Sequence, residues 1–283
     1  MNRVTGRISL FRTLRENVLA LVGTVIIVIF VVVALGANVL TPYEPNVQDP
    51  NAVGLSPGSP GHLLGTDSYG RDTATRLFYG ARISLWVGIA VVIITVVFGV
   101  FFGILAGYYK RLDAVIMRGA DIMFAFPDIL LALLIMSILG TNITNIIIAI
   151  SIGSIPSCAR VVRGSVLQAR DKDYVGAIRA LGGSDLRIAV KHILPNVMAP
   201  VIVFATMRLG SAILSTAALS YLGLGAQPPT PEWGAMISEG QKYMFTLPHL
   251  IIVPGVAIAL VIFSFNVVGD ALRDRLDPKL AKA

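Results

Sequence analysis

Charged residues are scarce in this sequence. They make up 14% of the 283 residues, while 55% are hydrophobic. A soluble domain carries about 25% charged residues, so this chain has too little polar surface to cover a water-exposed globule. The composition therefore excludes an ordinary soluble protein and favours one compact membrane domain built from several helices.

Cysteine and histidine are almost absent as well. Cys158 is the single cysteine, which excludes an internal disulfide and a metal cage built from thiolates. His62, His192 and His249 lie far apart in the sequence, without the spacing of metal ligands. We therefore expect no metal site on this chain.

The sequence also lacks the common catalytic motifs. No glycine-rich segment ends in Gly-Lys-Ser or Gly-Lys-Thr, so nucleotide must be handled by another chain. An intramembrane enzyme would need paired carboxylates, a His-Glu-x-x-His helix, or a serine near a histidine at bilayer depth, and none is present. We expect no enzyme and no bound cofactor. A self-sufficient channel or secondary transporter remains an alternative.

Long apolar runs are what the sequence has in abundance, and six of them approach the roughly 20 residues that cross a bilayer. The first is longer than the apolar region of about 7–15 residues in a secretory signal, so we interpret it as an uncleaved span. The predicted spans are Val18–Leu40, Ile83–Gly107, Gly119–Leu139, Ile143–Val161, Met198–Leu222 and Leu250–Val268.

Basic residues indicate the orientation of these spans. The net charge is +7, and most of the 23 lysines and arginines fall in alternate connections between the apolar runs. Because basic residues stay on the cytoplasmic side, the pattern predicts six spans with both termini in the cytoplasm. Basic loops between apolar runs suit anionic membrane lipid, and no aromatic-studded basic patch points to nucleic acid.

Two connections are unusually long. The outer one, Thr41–Arg82, is expected to be extended because it opens with five prolines. The inner one, Arg163–Asn196, should contain a helix from Asp173 to Leu181, ended by Gly182 and Gly183. Ser184 should cap a second helix, Asp185–Leu194. A cytoplasmic helix–glycine–helix between two spans suits docking against another protein.

The stretch from Tyr174 to Gly182, followed by His192-Ile-Leu-Pro195, resembles the EAA loop of ABC importer permeases. In that family the loop inserts a short helix into a groove on the ATP-hydrolysing subunit. The matching residues are Ala177, Gly182 and Pro195, whereas Gly176 stands where many members have glutamate. The resemblance implies an ATPase-coupling site formed by Asp173, Tyr174, Gly176, Ala177, Gly182 and Pro195.

Three further motifs narrow the resemblance to the dipeptide/oligopeptide/nickel permease family, and most closely to the second permease of dipeptide- and glutathione-type systems. They are Leu64–Asp72, Gly225–Gly234 and Gly269–Pro278, and the likeness extends from residue 18 to residue 280. It implies an all-α integral membrane protein with the type I ABC importer permease fold. The cargo would be a dipeptide, an oligopeptide or glutathione, with nickel or another small solute as the alternative.

The same resemblance implies partners and a location. The partners are a homologous second permease, two ABC ATPase subunits that use ATP and Mg, and an extracytoplasmic peptide-binding protein, all at a bacterial inner membrane. The expected organisation is a cytoplasmic segment 1–17, a first span 18–40, an extracytoplasmic segment 41–82, a five-helix core 83–270 with the coupling loop 163–196, and a cytoplasmic tail 271–283.

Several intramembrane residues are candidates for packing or for movement. Gly99, Gly103 and Gly107 recur every fourth residue, which either lets a neighbouring helix approach closely or provides a hinge. Pro127 and Pro156 either kink the third and fourth spans or mark discontinuous helices that line a cavity.

Charged and aromatic residues of the outer segments are candidates for extracytoplasmic contacts. Asp67, Arg71 and Asp72 follow the proline-rich stretch, and are either surface charges or contacts with the binding protein or the partner permease. Glu232 and Trp233 lie in the other outer segment. Trp233 is either an anchor at the membrane interface or a gate.

Arg208 is the one basic residue deep inside a predicted span. At 1.5 Å per residue, Arg208 and Asp128 lie at matching depths of roughly 15 Å along the fifth and third spans. The pair is therefore predicted to meet inside the membrane; alternatively, Arg208 faces a cavity where it attracts a peptide carboxylate, or it contacts the partner permease. Asn266 in the sixth span is a further candidate for the translocation path.

Overall fold

The computed structural model describes residues 17–276, and within them the chain is helical, with two isolated β-bridges and no strand. The α-helices are α1 Val18–Leu40, α2 Thr73–Tyr108, α3 Lys110–Phe124, α4 Asp128–Leu139, α5 Ile143–Arg170, α6 Asp173–Ala180, α7 Asp185–Arg187, α8 Leu194–Tyr221, α9 Trp233–Gly240 and α10 His249–Leu276. A π-helical turn, Ile188–Ile193, joins α7 to α8.

Within the described residues, five helical stretches are long and apolar enough to cross a membrane, and α3 with α4 forms a sixth, broken one. The two helices of this pair meet at 92°, so the predicted span Gly119–Leu139 is broken, which agrees with the discontinuous-helix alternative for Pro127. The break lies at Pro127, which has extended backbone angles just before α4. Proline lacks an N–H and disfavours helix at the residue before it, so the chain turns there.

Pro156 behaves differently, because it lies inside α5 without interrupting it. The helices α2, α5, α8 and α10 are longer than their predicted apolar runs. α2 begins at Thr73, where the Asp72 carboxylate accepts a hydrogen bond of 2.7 Å from the Thr75 N–H. α5 continues to Arg170, so the inner connection is shorter than predicted. Hydropathy detects only the apolar part of a helix, and polar turns extend beyond it.

Close packing of α2 against α5 organises the core. A Cβ atom on Gly103 would lie 2.5 Å from Val162 Cβ, and one on Gly99 would lie 2.4 Å from Cys158 Cβ. Gly107 meets Val166 in the same way. The packing interpretation of these glycines is confirmed: only a residue without a side chain lets the two backbones come this close.

The two long connections lie at opposite ends of α2. This helix has 36 residues and therefore spans about 54 Å. Its first turn adjoins the segment after the prolines, and its last residue, Tyr108, contacts Asp185 of the inner connection. Which end faces the cytoplasm stays a prediction. The basic residues of 1–16 and 277–283 lie outside the described residues.

Candidate functional site

An arginine and an aspartate meet where the broken span crosses two continuous ones. Arg208 Nη2 on α8 lies 3.6 Å from Asp128 Oδ2, at the start of α4. The Arg208 Nε–H also donates to Ser154 Oγ on α5 at 3.1 Å, and Nη2 contacts the same oxygen. The arginine side chain is 18% exposed and the aspartate 61% exposed. One half-buried cation thus connects three helices.

Asp128 and Arg208 line a small cleft between these helices. Its other walls are formed by Ile129, Ala132, Ile150, Gly153, Ser215 and Leu219. The cleft therefore places two opposite charges and one hydroxyl beside apolar side chains. Asn266 is half-buried on α10, and it is not among the hydrogen-bond or ion-pair partners of Arg208. Ser154, which holds the arginine, has no sequence signal beyond its position inside an apolar run.

The helix α6 presents two different faces. Tyr174, Val175 and Ile178 pack into the apolar cluster at the end of α2, with Val175 buried. Gly176 and Ala177 are exposed on the opposite side, as is Asp173 at the first turn. The exposed face is built of small residues, so a groove on another protein can approach its backbone closely.

The turn after α6 requires glycine. Gly182 has φ +79°, a left-handed conformation that glycine adopts without strain. Ser184 then caps α7, its hydroxyl accepting from the Arg187 N–H at 3.4 Å. The predicted second helix over Asp185–Leu194 is helical, as a short α-turn followed by a π-turn, and it continues without a break into α8. Pro195 is the second residue of α8, directly after the π-turn.

A buried cluster of charges lies at the other end of α2. The Arg71 guanidinium contacts Asp67 Oδ2 at 2.6 Å and Glu239 Oε2 at 2.5 Å. Arg76 contacts the same Glu239 oxygen at 3.2 Å and donates to the carbonyls of Pro45 and Pro229. Two cations and two anions thus join the proline-rich segment to α2 and α9.

The interpretation of Asp67, Arg71 and Asp72 as surface charges is wrong, because all three are buried in this chain; their contact with the binding protein or the partner permease stays a prediction. Asp72 caps α2, and its Oδ1 lies at hydrogen-bonding distance, 2.9 Å, from His62 Nδ1. The proline-rich segment folds over them, which local sequence does not reveal. Arg76 and Glu239 complete the cluster and were missed, because Glu239 is distant in sequence.

Glu232 and Trp233 are buried too, so an anchor at the membrane interface is the wrong interpretation of Trp233. The Trp233 Nε1–H donates to the Leu77 carbonyl at 3.0 Å, and its ring meets Phe30 edge-on. The Glu232 carboxylate accepts from the Ala235 N–H at 3.0 Å and from the Ser84 hydroxyl at 3.2 Å. Both residues therefore fix α9 against α2.

Comparison with known families decides what kind of protein has this architecture. Residues 96–282 match the family described as "Binding-protein-dependent transport system inner membrane component". The chain belongs to this family. Residues 9–57 match the N-terminal TM domain of oligopeptide transport permease C. This member of the transport family is accordingly a multi-pass inner-membrane permease.

Relatives of the permease align with its sequence along almost its whole length. It is 46% identical over 271 residues to the dipeptide transport system permease protein DppC of Alkalihalophilus pseudofirmus, covering 95% of this chain and 89% of that protein. It is 44% identical over 271 residues to the glutathione transport system permease protein GsiD of Pectobacterium atrosepticum, with the same two coverages.

Solved structures show the fold of the permease. The MetNI methionine ABC transporter in inward-facing conformations matches with a TM-score of 0.59 at 18% identity, covering 71% of this chain and 96% of that chain. An amino acid ABC transporter with histidines matches with a TM-score of 0.52 at 19% identity, covering 74% and 94%. The permease therefore has the type I ABC importer fold.

Proposed function

We propose that this permease forms the translocation path for small peptides, meaning dipeptides, oligopeptides or glutathione, delivered by an extracytoplasmic binding protein. The observation that carries the proposal is the 46% and 44% identity to dipeptide and glutathione permeases over 95% of the chain. Nickel or another small solute is the alternative cargo, and it is an outcome of the test below.

The proposal assigns energy supply to other subunits. The chain has no Gly-Lys-Ser or Gly-Lys-Thr phosphate loop, so two ATPase subunits would bind ATP and Mg, and the permease itself would catalyse no reaction. A second permease of similar fold would complete the path. The small exposed face of α6, formed by Gly176 and Ala177, would dock into the ATPase groove.

Arg208 and Asp128 are the residues proposed to line the path. An unpaired charge at bilayer depth is costly, so the two charges are retained there only with a partner or water. Asp128 is 61% exposed and Arg208 lines the same cleft. Cargo passing this cleft would meet one charge of each sign, which suits a peptide carrying an ammonium and a carboxylate.

Uptake in a deletion strain tests the cargo. The strain is complemented with the wild-type permease or with an empty vector, and labelled dipeptide, glutathione and nickel are supplied separately. We expect the wild type alone to restore uptake of dipeptide or glutathione. Restoration of nickel uptake without peptide uptake would show that the peptide assignment is wrong.

Two variants of the inner loop test the docking of the ATPases. Gly182→Pro cannot adopt φ +79°, because proline holds φ near −65°. Ala177→Arg fills the exposed small face, and Ala177→Ser, which keeps a small side chain, is its control. We expect all three variants to insert normally. Gly182→Pro and Ala177→Arg should lose the ATPase subunits on purification, whereas Ala177→Ser should keep them. Retention of the ATPases at the normal transport rate would contradict the docking proposal.

A further inference from the structure

Tyr108 ends α2 at the inner connection, and its ring is held in the protein interior. The residue is 7% exposed and belongs to an apolar cluster that includes Val166 of α5, Val175 of α6 and Ile188 of the π-turn. The ring therefore has little freedom to move independently of its neighbours.

The Tyr108 hydroxyl reaches both helices of the inner connection. It donates to Asp185 Oδ1 at 2.6 Å and accepts from Arg179 Nη2 at 3.0 Å. Arg179 lies in the last turn of α6 and Asp185 is the first residue of α7. Those two side chains also face each other at 3.8 Å. One hydroxyl thus joins both sides of the Gly182 turn to the end of a span.

The span that carries Tyr108 is itself fixed to α5. The glycines at positions 99, 103 and 107 pack directly on α5, as described above. Next to Tyr108, the Arg170 Nη1–H donates to the Gly107 carbonyl at 2.9 Å. A displacement applied to Tyr108 therefore moves α2 and α5 together rather than bending one helix end.

We propose that Tyr108 is a positioning residue for energy coupling: its hydroxyl transmits movement of α6 and α7, driven by the ATPase subunits, to the paired spans α2 and α5. This inference rests on the proposed docking of α6 and is independent of the cargo. Tyr108 lies outside the sequence motif of the inner connection and outside the three motifs that narrow the family resemblance.

The hydrogen bonds of Tyr108 suit transmission of movement from the inner connection better than stabilisation of the fold. The Arg179 and Asp185 side chains are 57% and 55% exposed, so water replaces the hydroxyl when it is removed. Phenylalanine at position 108 keeps the ring in the apolar cluster and removes only the two hydrogen bonds. Folding and assembly should survive this change, while the direct link to the loop is lost.

Tyr108→Phe in the complete transporter tests the proposal. The complex is purified through a tag on this chain, reconstituted in liposomes with its binding protein, and supplied with labelled dialanine. We expect the ATPases to co-purify as in the wild type, and the dipeptide transported per ATP hydrolysed to fall about tenfold.

Tyr109→Phe is the matched control. Tyr109 packs edge-on against Tyr108, with ring centroids 5.1 Å apart, but its hydroxyl has no hydrogen-bond partner among residues 17–276. This variant should couple normally. Asp185→Asn keeps an acceptor oxygen and should retain most coupling, whereas Asp185→Ala removes one of the two hydrogen bonds and should lose part of what Tyr108→Phe loses. The double variant Tyr108→Phe/Asp185→Ala should be no worse than Tyr108→Phe alone, because Tyr108→Phe already removes the bond to Asp185.

Two results would overturn the inference. One is a Tyr108→Phe complex with the wild-type transport per ATP. The other is a loss that comes with a lower thermal unfolding midpoint or with missing ATPases, which would make Tyr108 merely structural. Failure of the proposed function is visible separately, as wild-type complex that moves neither dialanine nor glutathione, or as Ala177→Arg complex that keeps its ATPases.

Discussion

Arg208 Nη2 lies 3.6 Å from Asp128 Oδ2, although 80 positions of sequence separate the two residues. The aspartate is placed there by the break before α4, and the arginine is oriented by the Ser154 hydroxyl. A charge at the bilayer centre costs about 2.5–3.5 kcal/mol on translocon scales. The pair therefore reduces the cost of keeping an arginine in α8.

Charge reversal tests whether this pair is structural or serves cargo. If the pair is structural, Arg208→Asp places two carboxylates together, so we expect less assembled transporter and little uptake. Adding Asp128→Arg should then restore assembly in part. If Arg208 serves cargo, the single variant should assemble normally, lose transport and gain nothing from the second change. Assembly is measured by size-exclusion chromatography and transport by uptake of labelled dipeptide.

The exposed pair Arg160–Asp121 is the control for this experiment. Its atoms are closer, at 2.8 Å, but both side chains are more than half exposed, so reversal of Arg160 should have little effect. A fully active Arg208→Leu permease would contradict both roles of Arg208.

Alanine at Gly103 should destabilise the permease. The new Cβ would lie 2.5 Å from Val162 Cβ and 2.7 Å from the Ala159 carbonyl oxygen, so α2 and α5 must separate. Overpacking of this kind costs about 1–3 kcal/mol. Gly164→Ala on α5 meets nothing within 4 Å and should stabilise by roughly 0.5–1 kcal/mol, because alanine is the better helix former. Thermal unfolding midpoints that shift in the same direction would contradict the packing account.

Removal of Arg76 should disrupt the outer cluster. Its side chain is 2% exposed, and its loss leaves Glu239 and the carbonyls of Pro45 and Pro229 without this donor. Breaking a buried pair from one side costs about 3 kcal/mol or more. Arg82→Ala removes a partly exposed arginine of the same helix and should cost less. Equal losses of unfolding free energy in the two variants would show that the buried cluster makes Arg76 no more stabilising than Arg82.

Cysteine labelling tests the predicted orientation. Cys158 is fully buried, so it should not react with a polar maleimide and can stay in place. A cysteine at Ser59 should label from outside in intact cells, and one at Ser184 only after permeabilisation. These positions lie in connections at opposite ends of α2, so one must be outside if the other is inside. The reverse pattern would overturn the orientation.

Local features of the chain were predictable because their causes are local. Val18–Leu40 is a helix over the predicted residues, since in a bilayer a run of 23 mostly apolar residues leaves the backbone groups no partner but each other. Ser184 caps a helix and Gly182 ends one, because each needs only its own backbone and a neighbouring N–H. The glycine spacing of α2 likewise predicted close helix packing.

The outer segment shows where such reasoning fails. Arg71, Asp72 and Trp233 are residue types usually found at a surface or a membrane interface, and their local sequence is proline-rich. Arg71 and Trp233 bind residues 168 and 156 positions away, Glu239 and Leu77, whereas Asp72 meets His62, ten positions away. The residues next to each side chain in the sequence do not indicate such distant partners.

The sequence by itself determined that this is a helical membrane protein, which segments are apolar and long enough to cross a bilayer, and which inner loop suits docking, because hydropathy, charge and glycine act over a few residues. Only the tertiary structure decided that α3 and α4 meet at 92°, and that the Tyr108 hydroxyl contacts both sides of the Gly182 turn. These features depend on how the helices pack, and packing joins residues that lie far apart in the chain.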